Sequence, residues 1–380
     1  MSSLRMKTGR MSYQRWVISL LLSVLGVIGL VILINCTVDA YGILRTDFSR
    51  QFQEPNENFI KMKYLLGHKD KYDSFLFGSS RALQIDTKKM TNGAWYNMAY
   101  SEGLPNEFLD TLKLMLKEGI RIRNVMIALD EFSFVIDPGK HTNDLMRQAH
   151  YRVSGKRPAS FYSEYFVKIK RFIPSIREYL RYNYTREGRM ASRRTLYDFY
   201  DSGRVICTTC DDEIEQDVEK HRHDPRFEKP IRYYGDNLAN TLASLREIVA
   251  LAQERNIRLT LFIDPIQRTT YLGADQALLL AFKQELAGIS DYYDFSGLNT
   301  ITTDNYYYHE TSHFRHLVGD MMLRKMFGAP GVVVPADFGV LVTSRNVDGH
   351  VRKQREQLEA AGERQEPGRL ARRTREEGAP

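Results

Sequence analysis

Cysteine and tryptophan are scarce in this chain of 380 residues, which has three of the first and two of the second. Three cysteines are too few for the disulfide framework of a small secreted module. The mean hydropathy of −0.42 excludes a polytopic membrane protein. The hydrophobic fraction of 43% and the charged fraction of 27% are ordinary for a globular protein, so a mostly disordered or collagen-like chain is excluded as well.

Charged side chains are missing from residues 16–38, and acidic ones from residues 1–15. The apolar core of this run covers residues 16–34, which are 19 residues. At ~1.5 Å per residue, a helix of that length nearly crosses a hydrocarbon core of ~30 Å. Four basic residues precede it. By the positive-inside rule, we expect residues 1–15 to be a cytoplasmic N-terminus, residues 16–38 a transmembrane helix, and the rest of the chain to be exported.

A cleaved signal peptide is the alternative interpretation of this run. The run is longer than an h-region of ~7–15 residues, however, and no small-x-small site closes it. Cys36 follows it as in a lipidation motif, but Asn35 stands where a small residue is expected. We therefore favour a retained anchor.

Short apolar runs alternate with helical patterns after a polar juxtamembrane connection at residues 39–70. Strands are predicted at residues 74–77, 124–130, 258–263 and 292–295, and helices at residues 106–117, 237–255 and 274–288. Such alternation predicts right-handed βαβ crossovers and a parallel sheet that is covered by helices on both faces. Functional groups of such sheets collect beyond the carboxyl ends of the strands.

Residues 71–150 and 231–330 are predicted to be the two halves of this α/β domain. Residues 151–230 interrupt the alternation, and we predict a mainly helical insertion or cap there. Within it, residues 151–190 contain ten Lys/Arg, three acidic residues and nine Tyr/Phe. This composition is typical of a solvated helical face, or of a segment that binds an anionic polysaccharide or an anionic lipid surface. Residues 331–380 are expected to be a largely disordered tail.

The net charge of +7 is not spread over the molecule. Residues 1–15 contribute +4 and residues 345–380 contribute +2, so the body of the chain is nearly neutral. No helix-turn-helix or zinc-finger pattern is present. We therefore expect no nucleic-acid partner.

The strongest local signal is the sequence Gly78-Ser79-Ser80-Arg81, directly after the first predicted strand. A serine hydroxyl is a weak nucleophile until a base takes its proton. His313 is the candidate base, and Glu310, three residues earlier, is placed to hold its imidazole in the useful tautomer. Each motif alone is more often a turn or a surface pair. Their order strengthens the hypothesis, since the serine follows the first strand and the acid–histidine pair precedes the expected last helix.

Asp264, at the end of another predicted strand, is the competing acid. We favour Glu310 because of the three-residue spacing.

This arrangement resembles the SGNH/GDSL hydrolase superfamily over about residues 70–150 and 231–328. In that family the nucleophile follows the first strand, and an Asp-x-x-His pair lies near the C-terminus. The resemblance implies a three-layer, flavodoxin-like α/β domain with Ser80 as nucleophile and His313 as base. Glu310 takes the place usually held by Asp.

The resemblance also implies an oxyanion hole. The family builds it from the amide of the nucleophile, a glycine in a second block and an asparagine in a third. The second block falls on residues 96–103, with Gly103 or Ser101 as donor and Asn97 in support. The third block puts Asp130 where asparagine is expected. An ionised carboxylate cannot donate a hydrogen bond to an oxyanion, so this departure puts the hole in doubt.

The anchor and the two blocks around Ser80 and Ser101 are similar to a membrane-anchored branch of the superfamily that helps acylate envelope polymers. Examples are the D protein of D-alanyl-lipoteichoic acid synthesis and the periplasmic alginate O-acetyltransferases. The resemblance implies a single-pass protein of the bacterial inner membrane with a periplasmic domain. It implies a polysaccharide substrate, a membrane-bound O-acyltransferase as partner, and neither metal nor cofactor.

Two kinds of function remain open. One is O-acyl transfer or ester hydrolysis through an acyl-serine on Ser80. The other is a catalytically inactive assembly or polysaccharide-binding subunit that has kept the fold, which Asp130 and Glu310 mildly favour.

The pair Cys207-Thr-Thr-Cys210, with His221 and His223 downstream, leaves several possibilities open. Cys and His are the usual ligands of zinc, but this spacing matches no standard module. A local disulfide suits an exported loop better, and two unpaired thiols come next. A thioredoxin-like role is disfavoured because the pair does not open a helix after a strand.

Overall fold

The computed structural model describes residues 13–49, 51–167, 172–186, 188 and 195–376. The chain forms two compact units. The first unit comprises residues 1–55 and 156–192, and the second comprises residues 56–155 and 193–380. Most of the predicted cytoplasmic N-terminus, residues 1–12, lies outside the described residues.

Thirteen named α-helices lie in the part of the chain that the structure describes. They are α1 (Tyr13–Val38), α2 (Glu57–Gly67), α3 (Pro105–Lys117), α4 (Tyr151–Ser154), α5 (Pro158–Phe166), α6 (Phe172–Tyr184), α7 (Cys210–Gln216), α8 (Val218–Arg222), α9 (Leu238–Glu254), α10 (Arg268–Gly273), α11 (Gln276–Ala287), α12 (His316–Phe327) and α13 (Val347–Glu376). The strands are β1 (Ser74–Phe77), β2 (Trp95–Asn97), β3 (Asn124–Leu129), β4 (Thr195–Asp198), β5 (Arg204–Cys207), β6 (Arg258–Ile263), β7 (Tyr292–Asp294) and β8 (Val340–Val342).

Helix α1 of the first unit has 26 residues, and its most apolar window has a mean hydropathy of 3.1 with none of that window buried. By length and composition, it is able to cross a membrane. The position of this helix agrees with the span predicted at residues 16–38. Helices α5 and α6 pack beside α1 within the same unit.

The second unit contains a six-stranded sheet in the order β2-β1-β3-β6-β7-β8. The first five strands are parallel, and β8 pairs with β7 in the antiparallel sense. If the parallel strands are numbered along the chain, their order is 2-1-3-4-5, one of the two common orders of doubly wound α/β sheets. The predicted mostly parallel α/β sheet is therefore confirmed.

Alternate residues of the central strands enter two separate hydrophobic clusters, because successive side chains of a strand point to opposite faces. Phe75 and Phe77 of β1 pack with residues of α3, α9 and α11. Leu76 packs on the other face with residues of α12. Helices thus cover both faces of the sheet, as the alternating pattern predicted.

Residues 151–230, predicted to be a mainly helical insertion or cap, are not helical throughout. They contain helices α4 to α8, but also the antiparallel hairpin of β4 and β5. Gly203 lies in its turn with a φ of +75°, a conformation that favours glycine. The segment is also divided, because residues 156–192 belong to the first unit and residues 193–230 to the second.

The expectation of a largely disordered tail at residues 331–380 does not hold for its described part. Residues 340–342 form β8, and α13 packs on α11. Val347 and Val351 are buried one helical turn apart. His350 binds Asp294 of β7 at 2.7 Å. The high charge of the segment indicated disorder, so these few buried positions were not predicted from the sequence. Helix α12 is accordingly not the last helix.

Residues 39–70 also contain more ordered structure than the polar connection that was expected. Part of the expected polar connection is the buried helix α2, whose Phe59, Met62 and Leu65 enter the core.

The docking of α13 can be tested with Val351→Asp, which places a carboxylate in the core. We expect the free energy of unfolding in detergent to fall by about 3 kcal/mol, since an unpaired buried charge is costly. Denaturant titration of the purified chain measures this change. The exposed neighbour Arg352→Asp is the matched control, and equal stability of the two variants would show that α13 is not docked.

Candidate active site

The candidate nucleophile lies at the carboxyl edge of the sheet, directly after β1. Ser80 opens a 3₁₀ turn at Ser80–Gln84, and the side chain of Ser79 caps that turn by accepting from the amide of Arg81 at 3.2 Å. A Cβ at Gly78 would lie 2.8 Å from the Cβ atoms of Ala82 and Ala128. Only glycine therefore lets the chain turn so close to β3.

Three side chains from distant parts of the sequence meet at this turn. His313 Nε2 lies 2.9 Å from Ser80 Oγ, and His313 Nδ1 lies 2.5 Å from Glu310 Oε1. The side chains of His313 and Glu310 are 38% and 34% exposed, so a substrate can reach them. The structure thus brings together the three residues that the sequence singled out.

A short loop holds the acid and the base in this geometry. Tyr308 and Phe314 are fully buried and form an isolated antiparallel bridge. The amide of His309 also donates to the carbonyl of His313 at 2.8 Å. Glu310 and His313 lie on the tight turn that this bridge closes.

Glu310 is held as an ionised carboxylate. Burial alone would raise its pKa, but hydrogen bonds from the His313 side chain and from the amides of His313 and Ser312 bring the pKa below its usual value. The carboxylate accepts the Nδ1 proton of His313, which leaves Nε2 free to accept the Ser80 hydroxyl proton. The competing acid Asp264 makes no such contact with His313.

Arg81 is a fully buried cation immediately after the nucleophile. Its Nη1 donates to Asp130 at 2.7 Å, and its guanidinium forms a two-pronged pair with Glu131, with Nη2 at 2.7 Å from Oε1. Burial would lower the pKa of Arg81, but Glu131 and Asp130 hold it well above its usual value. Its Nε also donates to Ser312 Oγ at 3.3 Å, in the loop of the base. Arg81 therefore connects the nucleophile turn, the end of β3 and the acid–base loop.

Arg81 was noted beside the candidate nucleophile, but no role was predicted for it. Glu131 and Ser312 were not predicted as site residues. The available signal was an arginine beside the candidate nucleophile, together with two adjacent acids after a predicted buried strand.

Asp130, predicted at the third oxyanion position, accepts from Arg81 instead. Asp264 lies beside it, because the registered strands β3 and β6 end together. Burial, and then the charge of Asp130, raise the pKa of Asp264 well above its usual value. Neither carboxyl group supplies the amide donor that an asparagine would.

The other predicted oxyanion residues stabilise the backbone around the site. The fully buried Asn97 donates to the carbonyl of Ala82 at 2.8 Å and accepts from the amide of Ala99. The amide of Gly103 donates to Tyr100. A Cβ at Gly103 would lie 2.5 Å from the carbonyl of Gly78, so the close approach of the two turns requires glycine. Within the described ranges, the amide of Ser80 has no acceptor and is available to a substrate oxygen.

Ser101 and Glu102 belong to a turn that charged side chains hold in place. Glu102 has a φ of +52°, which is strained for a residue with a Cβ. Arg147 pairs with Glu102 at 3.3 Å and donates to Ser101 Oγ at 3.1 Å. His141 lies 3.6 Å from Glu102 and 3.0 Å from Glu107. These contacts fix the turn of the second block against residues 141–147.

The pair Cys207–Cys210 is a disulfide. It joins the last residue of β5 to the first residue of α7, so the pair does open a helix after a strand, and the expectation that it does not was wrong. Helix α7 carries Asp211 and Glu215, which bind Arg315 at 2.5 and 2.7 Å. His221, considered as a zinc ligand, instead bonds to the carbonyl of Tyr308 at 2.8 Å. Among the described residues, no three His, Cys, Asp or Glu side chains are grouped to hold a metal ion.

A cavity of about 550 Å³ lies between this disulfide and the acid–base loop. Its lining includes both basic and acidic side chains, with Lys220 and Arg226 facing Glu213 and Asp224. His309, whose amide bonds to His313, forms one wall. Burial lowers the pKa of His309 to about 4, so its ring is neutral.

The buried arginine gives a direct stability prediction. Arg81→Ala leaves Asp130 and Glu131 unpaired in the core, so we expect a loss of about 3–5 kcal/mol in the free energy of unfolding. Arg81→Lys keeps the charge but not the two-pronged geometry, and we expect an intermediate loss. Denaturant titration compares the two, with the exposed Arg246→Ala as control. A loss for Arg81→Ala no larger than that of the control would contradict the assignment.

His141, which contacts Glu102 of the second block, predicts a pH dependence. Burial would lower the pKa of His141, but Glu102 and Glu107 raise it to about 9. The folded value exceeds the unfolded value of about 6.5, so the stabilisation is complete below that pH and is lost as pH rises through 9.

We therefore expect His141→Gln to lose about 2–3 kcal/mol relative to wild type at pH 6, and much less at pH 10. Thermal unfolding at the two pH values measures the difference. A pH-independent difference between variant and wild type would show that His141 is not charged in the folded protein.

No protein-family model matches the chain, and no curated protein matches it.

Proposed function

We propose that the chain is a membrane-anchored, extracytoplasmic acyltransferase or esterase of SGNH type, which acts on a cell-envelope or secreted polysaccharide through an acyl-serine on Ser80. The observation that carries the proposal is the continuous hydrogen-bonded series Ser80–His313–Glu310. A serine, an imidazole and a carboxylate in that order form the standard device for activating a hydroxyl nucleophile.

In the first half-reaction, Ser80 Oγ attacks the carbonyl carbon of an acyl ester while His313 Nε2 takes the hydroxyl proton. The ionised Glu310 stabilises the imidazolium that forms. The amide of Ser80 donates to the developing oxyanion. The ester C–O bond then breaks, and His313 returns the proton to the leaving oxygen, which departs as an alcohol.

In the second half-reaction, an acceptor hydroxyl loses its proton to His313 and attacks the acyl-serine carbonyl. Collapse of this intermediate transfers the acyl group and restores the Ser80 hydroxyl. A sugar hydroxyl as acceptor gives O-acyl transfer, and water gives hydrolysis. The polar cavity beside His309, with charges of both signs, suits a hydroxyl-rich acceptor better than an apolar one.

The proposed location is the bacterial inner membrane, with α1 as the single span and the sheet domain in the periplasm. The basic residues before α1 and the Cys207–Cys210 disulfide both support export. A membrane-bound O-acyltransferase is the proposed partner, on the strength of the family resemblance.

A non-catalytic role in polymer binding or assembly is the second candidate. The specific observation in its favour is Asp130, which accepts from Arg81 and leaves the third oxyanion position without an amide donor.

Labelling with a fluorophosphonate probe tests the proposed chemistry. We expect the wild-type chain to be labelled, Ser80→Ala not at all, and Glu310→Gln at a rate lower by roughly 10²–10⁴-fold, because the base loses its orienting charge. Ser244→Ala, a serine whose hydroxyl bonds only to Asn240 of its own helix, is the matched control. Equal labelling of wild type and Ser80→Ala would refute the nucleophile assignment, and no labelling of the wild type would favour the non-catalytic role.

A further inference from the structure

The basic and aromatic segment at residues 156–192 belongs to the same compact unit as the apolar helix α1. Along residues 16–30 the large apolar side chains of α1 are exposed, whereas Val31 and Val38 near its end are buried. Asn35, between them, donates to the carbonyl of Phe166 at the end of α5 at 2.9 Å. Helices α5 and α6 therefore pack beside the last turns of α1, and the apolar side chains of the preceding turns stay exposed.

The length of the exposed apolar part of α1 agrees with the thickness of the hydrocarbon core of a membrane. The apolar run ends at Ile34, after ~30 Å of helix. The stripe Val31, Asn35 and Val38 is thus at the level where the hydrocarbon gives way to headgroups. An amide side chain at this depth needs a partner, and the carbonyl of Phe166 provides it. Helices α5 and α6 accordingly lie at the surface of the leaflet that α1 reaches last.

Helix α6 has one face packed within the unit and one face exposed. Tyr179 and Tyr182 contact the ring of Phe52, with centroid distances of 5.7 and 6.2 Å. The exposed face is formed by positions spaced by three and four residues, which share one side of a helix. They are Arg177, Leu180, Arg181 and Tyr184.

This exposed face combines apolar bodies with positive charge. Leu180 is 49% exposed and Tyr184 is 71% exposed. Arg181 pairs with Glu178 at 3.0 Å, but both side chains are exposed, so the pair contributes little and does not neutralise the segment. Residues 156–192 contain nine Lys/Arg against three acidic residues. Leucine and tyrosine between arginines are typical of a helix that lies in a membrane interface.

We propose that the face Arg177–Leu180–Arg181–Tyr184 of α6 binds an anionic lipid surface, namely the leaflet at which α1 ends. Leu180 and Tyr184 enter the boundary between headgroups and acyl chains, and the two guanidinium groups bind lipid phosphates. The positive charge of residues 156–192 and the packing of α5 and α6 on α1 favour a lipid surface as the binding partner. The inference depends on the proposed membrane crossing and is independent of the proposed chemistry.

Depth-dependent fluorescence quenching of the full chain in vesicles tests this proposal. Leu180→Cys and Tyr184→Cys are each made in a Cys36→Ser background and labelled with a small fluorophore. The vesicles contain phosphatidylglycerol and phosphatidylcholine, with and without a lipid that carries a nitroxide near the headgroup. A label at the exposed Glu254→Cys, at the end of α9, is the control.

We expect the nitroxide lipid to quench both α6 labels by roughly half or more and to leave the Glu254→Cys label unchanged, because only a helix in the interface reaches the upper acyl chain. Exchange of Arg177 and Arg181 for glutamine should reduce the quenching, and exchange for lysine should preserve it. The quenching should also weaken in vesicles of phosphatidylcholine alone.

Unquenched α6 labels in the anionic vesicles would overturn the proposal. Equal quenching in both lipid mixtures, or in the glutamine and lysine variants, would overturn the electrostatic part of it. Alkaline carbonate extraction of the same vesicles shows whether α1 is inserted, so a failure of membrane crossing is distinguished from a failure of the α6 surface.

Discussion

The site depends on one buried ion cluster, in which the Arg81 guanidinium binds Asp130 and Glu131 at the carboxyl edge of the sheet. A buried guanidinium is tolerated only when its charge and its N–H groups are matched. Here Glu131 supplies the counter-charge, and Asp130 and the Ser312 hydroxyl accept from the remaining N–H groups. Because Arg81 directly follows Ser80, the cluster fixes the nucleophile turn relative to β3 and to the loop of Glu310 and His313. The ion cluster thereby holds together the two segments that carry Ser80 and His313, whose side chains are 2.9 Å apart.

The same cluster includes an acid at position 130, where the proposed SGNH-type pattern expects asparagine. Asp130 accepts a hydrogen bond from Nη1 of Arg81, while the two-pronged pair with Glu131 balances the single positive charge of the guanidinium. Asp130 thus accepts from Arg81 and supplies no amide donor, which leaves the Ser80 amide as the proposed donor to an oxyanion. Beside the cluster, burial and the charge of Asp130 raise the pKa of Asp264.

Much of the sheet domain followed from local patterns. The runs around residues 74–77, 124–129 and 258–263 are short, apolar and bounded by turn residues, so each was recognisable as a buried strand. Ser80 and the Glu310–His313 pair were recognisable because their residue types and order carry chemistry. The partners of Arg81 were not, because Asp130 and Glu131 are 49 and 50 positions away and their pairing depends on the alignment of β1 with β3. Helix α13 was missed because its few core contacts, such as Val351, lie within a highly charged segment.

The central claim is that Ser80 carries an acyl group during turnover. Mass spectrometry of the full chain, quenched with acid shortly after mixing with p-nitrophenyl acetate, tests it most directly. The account predicts a species heavier by one acetyl group, and peptide mapping should place that group on Ser80. An acetyl group found only on lysines, or an equal yield of acetylated chain from His313→Ala, would contradict it.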